Sequence, residues 1–378
     1  MSKIAYLNKK SNLSIKEKTK EILNLLGGLD KIIKLGDLVL IKPNFLAPFP
    51  HAVTDFEILE VIIEEVKRCR AKPVIGESSG FEFNTEKTFE ILGAYEFAKR
   101  NEIELINFDK VKFTKVSLKN GLLKQISIPE IVLQADILIN VPKLKRHNVT
   151  NVTIGMKNLF GLLPREDRRK FHALGIVDSG ILALNKLIRS DLVIVDGLTV
   201  TSRALFGVSE ERGIIVGGTD IVSVDKFCCT LLGIDFRNVR HIQKAIKEKL
   251  GLEEYQLVGD TPERLEIEKK SFYKKIYKLV YQTMHMLDIF YSFISKGKSL
   301  IPIIHFYLGV RPKLIKQKCD KCGKCVNVCP VNAINIQKGY IDSNLCMHIR
   351  CLKCVDLCPA KAIELRGERS VIRSVKRE

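Results

Sequence analysis

Eight of the eleven cysteines fall between Cys319 and Cys358, in two runs of one cadence. The first is Cys319-x2-Cys322-x2-Cys325-x3-Cys329-Pro330 and the second is Cys346-x4-Cys351-x2-Cys354-x3-Cys358-Pro359. They form an internal repeat of 29 residues in which Cys322 maps to Cys351, Cys325 to Cys354 and Cys329 to Cys358. Ala333-Ile334 likewise repeats as Ala362-Ile363. The amino terminus, Met1-Ser2-Lys3-Ile4-Ala5-Tyr6-Leu7, does not read as a secretory leader, so crowded thiols point to metal rather than disulfides. Thiolates at this spacing wrap three corners of a four-iron cubane while the fourth reaches a second cluster. Structural zinc, the alternative, favours two separated C-x2-C knuckles, and the repeated x2-x2-x3-Pro cadence is not its habit.

Over about 50 residues this segment resembles the bacterial two-cluster ferredoxins. The resemblance implies two 4Fe–4S clusters, one on Cys319, Cys322, Cys325 and Cys358, the other on Cys329, Cys346, Cys351 and Cys354. One departure stands out. By strict repeat the counterpart of Cys319 is His348, and Cys346 sits two residues earlier. Either an insertion lets Cys346 reach the cluster or His348 ligates it; thiolate is the usual ligand, which favours Cys346.

Residues 1–265 alternate short apolar runs with amphipathic stretches. Leu38–Ile41, Val74-Ile75, Glu104–Phe108, Ile137–Ile139 and Leu192–Val195 read as buried strands. Asp55–Arg70, Glu86–Lys99, Gly180–Ile188 and Ser223–Leu232 read as helices, the first capped by Asp55. Such alternation predicts an α/β domain with a largely parallel sheet, which binds ligands beyond the carboxyl ends of its strands. A basic, aromatic-rich amphipathic helical linker over 266–312 leads to a small α+β ferredoxin-like domain over 313–367, and a basic tail over 368–378 closes the chain. The segment 271–310 reads as helices packed between domains or as a peripheral membrane contact. No run is long and apolar enough to span a membrane, and a cytoplasmic protein is expected. Cys228-Cys229 and Cys69 read as core residues.

Polar clusters follow the expected strand ends: Lys42-Pro43-Asn44, Glu77-Ser78-Ser79-Gly80, Pro142 to His147, Met156-Lys157-Asn158-Leu159-Phe160-Gly161, Asp196-Gly197 and Gly217-Gly218-Thr219-Asp220. Of these, Lys42-Pro43-Asn44, the Pro142 to His147 run, Met156 to Gly161, Asp196-Gly197 and Gly218-Thr219-Asp220, with Val224-Asp225 downstream, together resemble the domain of unknown function 362 family, whose members often carry an appended ferredoxin module. The resemblance implies an iron–sulfur protein and names no reaction. From the residues themselves, Lys42, Lys143, Lys145, Arg146 and Lys157 would, if they converge, hold carboxylate or phosphate groups, with Asn44, Ser78 and Asn158 as hydrogen-bond partners. The alternative is that these lysines are solvated loop residues. Lys157, His147 and His172 are candidate catalytic groups, the histidines as proton donors. Glu77, Asp196 and Asp225 could act as bases or bind a cation, and Asp225 could equally cap a helix.

No G-x-G-x-x-G or G-x4-G-K-[ST] string exists, so no flavin, nicotinamide or ATP site is expected. The net charge of +19 is scattered among acids apart from short blocks such as Arg165–Lys170, and nucleic-acid binding is not expected. The leading expectation is an oxidoreductase delivering electrons from the clusters to a small anionic substrate. The runner-up is a non-catalytic carrier docking onto a redox partner protein.

Overall fold

The computed structural model describes residues 1–81, 83–118, 123–147, 149–201, 209–265, 283–284, 286–291, 294, 300, 311–327, 329, 332–342, 345–346 and 353–366. Cys351, His348, Pro330, most of the 266–312 linker and the 368–378 tail lie outside them. In chain order the strands are β1 (Ser2–Leu7), β2 (Leu38–Lys42), β3 (Lys72–Glu77), β4 (Glu104–Asn107), β5 (Phe113–Ser117), β6 (Gln125–Pro129), β7 (Ile137–Asn140) and β8 (Lys143–His147). They continue with β9 (Asn151–Thr153), β10 (Leu192–Thr201), β11 (Ser209–Gly218), β12 (Tyr255–Gly259), β13 (Arg311–Leu314), β14 (Ile334–Asn335), β15 (Tyr340–Ile341) and β16 (Ile363–Arg366). The helices are α1 (Ile15–Leu26), α2 (Phe56–Arg68), α3 (Thr85–Leu92), α4 (Ala94–Arg100), α5 (Glu130–Gln134) and α6 (Gly155–Asn158). After them come α7 (Arg165–Ala173), α8 (Val177–Leu187), α9 (Ile221–Leu231), α10 (Arg240–Lys247), α11 (Lys324–Asn327) and α12 (Lys353–Asp356).

The main sheet runs β12-β1-β11-β10-β7-β2-β3-β4. Every neighbouring pair on this path is parallel except those made by β11, which is antiparallel to β1 and β10. The sheet is therefore mixed but largely parallel, as the strand–helix alternation predicts. Alternate residues divide the core. Val39, Ile41, Ile137, Ile139 and Ile194 pack with α1, α2, α3 and α4, while Leu40, Leu138, Val193 and Val195 pack with α8, α9 and α10. Both faces are covered, which is why these strands read as unbroken apolar runs.

Local chemistry fixes the helix ends. Ser14 and Glu17 form a reciprocal capping box on α1, and Gly27, at φ 102°, closes it. Asp55 caps α2 by accepting from the Glu57 N–H. The helix expected over Glu86–Lys99 is instead two, because Gly93 at φ 74° ends α3 in the left-handed conformation and starts α4. A second difference matters more. The Pro142–His147 stretch, read as a loop beyond β7, carries a strand of its own: β8 pairs in parallel with β10 and antiparallel with β9. Its lysines are thereby drawn into the sheet. Cys228 and Cys229 are fully buried in α9, and burial pushes both thiols well above their ordinary range. Among the described residues no helix is long and apolar enough to cross a membrane.

Gly76 lies in β3 immediately before Glu77, where a Cβ would overlap the Phe108 ring and press on Leu40. Gly76→Ala is expected to lower the stability of the α/β domain by about 1–3 kcal/mol in chemical denaturation, the range for overpacking a core. An unchanged midpoint would show that the ring can step aside.

Candidate functional site

The parallel register places the ends of β2, β3 and β7 side by side: Lys42 lies opposite Asn140, and Ile41 opposite Ile75. Four lysines gather at this edge. Lys42 is fully buried, ion-paired to the Glu77 carboxylate, and donates to the Pro43 carbonyl at 3.2 Å. Desolvation lowers the Lys42 ammonium and raises the Glu77 carboxyl, and their mutual attraction opposes both shifts. Gly161 makes room for the pair, since a Cβ there would stand 3.1 Å from the Lys42 Nζ and 3.3 Å from a Glu77 oxygen. Lys143 meets both oxygens of Asp196 at 2.9 Å, and the same carboxylate accepts from the Asp55 and Leu198 N–H groups.

Lys145 differs from these two. Its Nζ, also fully buried, donates to Asn44 Oδ1 at 3.0 Å and to the Ala52 carbonyl at 2.9 Å, both uncharged acceptors. Burial pushes its pKa down to about 7, and Lys157 and Lys143 add like-charge repulsion. Lys145 also begins a line of hydrogen bonds that all run one way. The Asn44 amide donates to Asn158 Oδ1, Asn158 donates to Asn140 Oδ1, and Asn140 donates to the Gly155 carbonyl, at 2.8, 2.8 and 3.0 Å. Asp225 anchors the far end, accepting from the Gly155 and Met156 N–H groups at 2.8 and 3.0 Å. Asp225 is thus neither an exposed base nor the cap of its own helix, which Asp220 supplies; it fixes the start of α6. Desolvation raises its carboxyl to about 7.

The short helix α6 presents Lys157. This side chain is half-buried, with Nζ 5.5 Å from the centre of the Phe160 ring, and desolvation lowers it to about 8 against the attraction of Asp178. Asp178 in turn bonds the His241 Nδ1 at 2.9 Å. His172 packs on the same aromatic group, 5.8 Å from Phe160 and 5.2 Å from Phe81 between ring centres. Ser78 donates to the Gly161 carbonyl at 2.8 Å.

The structure therefore gathers Lys42, Asn44, Ser78, Lys143, Lys145, Lys157 and Asn158 at one edge, with His172 beyond Phe160. It does not gather five free cations. Lys42 and Lys143 are neutralised by Glu77 and Asp196, and Arg146 turns away to the Leu232 carbonyl. His147 holds a turn, its Nδ1 accepting from the Val149 and Thr150 N–H groups. Arg165 and Arg168 bind Asp109, and Arg169 binds Asp288, so the densest basic block serves packing. Sequence reading passed over Asn140, whose signal was an amide ending an Ile-Leu-Ile strand. Asp178 and His241 carried no motif at all.

Two predictions follow from these lysines. Glu77→Gln strands a buried ammonium and is expected to cost about 3–5 kcal/mol, whereas Lys42→Met with Glu77→Leu together should cost far less; equal losses in denaturation would mean the pair is not coupled. Between pH about 7 and about 10 the unfolded chain keeps the Lys145 proton that the folded chain has released, so stability rises with pH over this window. Lys145→Met should remove part of that rise, and identical pH profiles would place the amine in water.

In the C-terminal module, β13 pairs with β16 and β14 with β15, both antiparallel. The 29-residue repeat recurs in hydrogen bonding. Cys329 Sγ accepts from the Ala333 N–H at 3.2 Å, and Cys358 Sγ accepts from the Ala362 N–H at 3.2 Å. Asn332 and Lys361, each three residues on, adopt positive φ and donate back to the cysteine carbonyls. Cys319, Cys325, Cys329, Cys354 and Cys358 share one small apolar core with Leu314, Ile334 and Ile363. Soft thiolates in a dry shell, with N–H groups aimed at sulfur, fit an iron–sulfur cluster. Among the described residues no three Cys, His, Asp or Glu side chains converge as a single ion would draw them.

A family model described as 4Fe-4S dicluster domain matches residues 318–362, so the module binds 4Fe–4S and serves iron–sulfur electron transfer. The thylakoid-associated protein sll1697 of Synechocystis sp. (strain ATCC 27184 / PCC 6803 / Kazusa) is 27% identical over 241 residues, covering 61% of this chain and 73% of that protein. The lactate racemase apoprotein of Thermoanaerobacterium thermosaccharolyticum superposes at 14% identity and TM-score 0.39 over 57% of this chain and 54% of its own length, a likeness too slight to carry an argument. The model for the domain of unknown function DUF362 matches residues 39–230, half of the chain, and the lysine-lined strand ends lie within it. The chain belongs to the DUF362 family.

Proposed function

We propose that this chain is an iron–sulfur oxidoreductase whose Lys145 and Lys157 hold a small anionic substrate at the carboxyl edge of the sheet. Two 4Fe–4S clusters, one on Cys319, Cys322, Cys325 and Cys358 and the other on Cys329, Cys346, Cys351 and Cys354, would supply one-electron reducing equivalents when bound. One contact carries the reading. Val355, next to Cys354, packs against the apolar group Ala47, Phe49, Ala52 and Phe83, and the Ala52 carbonyl is the acceptor of the Lys145 ammonium. The residue following Cys354 thus touches the apolar group that contains Ala52.

The protein side of the chemistry follows from Lys145 and Lys157, the two amines of the edge that form no ion pair among the described residues. Lys145 at about 7 and Lys157 at about 8 are each divided between ammonium and amine near neutrality. Such a group attracts an anion in one form, and moves a proton as electrons arrive without the cost of an unmatched pKa. Lys157, the half-buried one, is the entry contact; Lys145 lies deeper, its proton aligned by the amide line from Asn44 to Asn140. Lys42 and Lys143, held by carboxylates, orient the edge. His172 stands behind Phe160 as a further proton source.

The carrier reading draws on a different observation, the full burial of Lys42 and Lys145 with every Nζ partnered. One experiment separates them. Anaerobically prepared protein should contain about eight irons and eight labile sulfides. Calorimetric titration with phosphate and a panel of mono- and dicarboxylates should find a ligand whose affinity falls about ten- to a hundredfold in Lys157→Met, with iron content unchanged. Absence of any binder, or an affinity that neither Lys145→Met nor Lys157→Met changes from that of the parent protein, would leave the carrier.

A further inference from the structure

Residues 286–291 form a helical stretch turned the wrong way round. Its one acid, Asp288, is fully buried, bonded through Oδ2 to Arg169 at 2.6 Å and accepting from the Leu300 N–H at 2.6 Å through Oδ1. The large apolar side chains face water: Met286 is 58% exposed, Leu287 53%, Phe290 65% and Ile294 66%. Positions 286 and 290 stand at i and i+4, and 287 lies three before 290, so these three share one face. Leu174, at the end of α7, the helix that carries Arg169, is also exposed. Hydration of a contiguous stripe of this kind is unfavourable, and such stripes mark surfaces with an occupant.

Charge identifies the occupant. From Lys269 to Lys318 the sequence holds eleven lysines and arginines and a single acid, Asp288, which is withdrawn into the Arg169 pair. A second copy of the chain would set this basic segment against itself. An anionic lipid surface would neutralise it and receive the apolar stripe in the headgroup boundary. We infer that the face of Met286, Leu287 and Phe290 docks the protein onto an anionic membrane, lying on the surface rather than crossing it. The Asp288–Arg169 bond holds the polar side inward, so that docking needs no refolding of the α/β domain. This surface is independent of the lysine edge and of whatever is bound there.

The test is co-sedimentation of the full, cluster-loaded chain with phosphatidylcholine vesicles containing about a third phosphatidylglycerol, against pure phosphatidylcholine. Binding to the anionic vesicles is expected, weakened by salt, and at least about tenfold lower in the variant Met286→Ser, Leu287→Ser, Phe290→Ser. These side chains are exposed, and unchanged cluster absorbance and circular dichroism verify the variant's fold; Leu287→Ser alone should give a smaller loss in the same direction. No binding to anionic vesicles overturns the inference, as does binding that the triple substitution leaves unaltered. A concentration-dependent dimer abolished by the triple substitution, with vesicles ignored, would assign the face to a second copy and equally overturn it.

Discussion

The carboxyl edge of the sheet exists because buried charges there are matched. Lys42 and Glu77 close the ends of the adjacent parallel strands β2 and β3, and Lys143, the first residue of β8, meets Asp196 within β10. An ammonium withdrawn from water carries a penalty of several kcal/mol unless a carboxylate and further hydrogen bonds compensate it. Both pairs have those bonds: Phe45 donates to Glu77, and Asp55 and Leu198 to Asp196. With the pairs in place, β8 can enter the sheet although its sequence is Lys-Leu-Lys-Arg-His. Loss of one partner alone would strand a charge in the sheet beside β8, Lys145 and the amide line.

Those same pairs explain which part of the chain was legible. Strands buried on both faces announce themselves, and Leu38–Ile41, Ile137–Ile139 and Leu192–Val195 needed nothing but their apolar runs. The repeated cysteine cadence was equally plain, and the paired sulfur and carbonyl hydrogen bonds at Cys329 and Cys358 reproduce its period in three dimensions. The strand character of Lys143–His147 was not legible, because it rests on Asp196, which lies 53 residues away from Lys143. Charge pairing over such distances leaves no periodicity. The same reasoning shows why the lysines could be found and their number of free charges could not. Recurrence after strand ends marks position; neutralisation depends on partners that only the folded sheet supplies.

The lysine edge is also asymmetric: Lys42 and Lys143 are ion-paired, and Lys145 and Lys157 form no ion pair among the described residues. Replacing a buried ion pair by apolar residues of equal volume is often neutral or stabilising, so stability gives little reason to keep Lys42–Glu77 and Lys143–Asp196. Still less does it explain Lys145, which among the described residues is held by an amide and a carbonyl oxygen and loses much of its charge near neutral pH. Three asparagines, Asn44, Asn158 and Asn140, are buried to orient it, each spending its donor and acceptor in the same direction. A one-way line of dipoles strengthens along its length. Its acceptor end faces the amine, and its donor end is fixed by α6, which also carries Lys157.

Asp225 therefore acts at a distance on both amines. Its carboxylate holds the Gly155 and Met156 N–H groups, and so sets the start of the helix from which Lys157 and Asn158 project. That carboxyl, at about 7, sits where a small change in surroundings alters its charge. Protonation would leave one oxygen able to accept fully and would loosen one of the two N–H contacts; the disturbance would pass through Asn158 to Asn44 and then to Lys145. The amine pair and the carboxyl titrate over the same range, and they are joined by bonds rather than by proximity alone. Proton occupancy at one end of the line is thus linked to the position of the charge at the other.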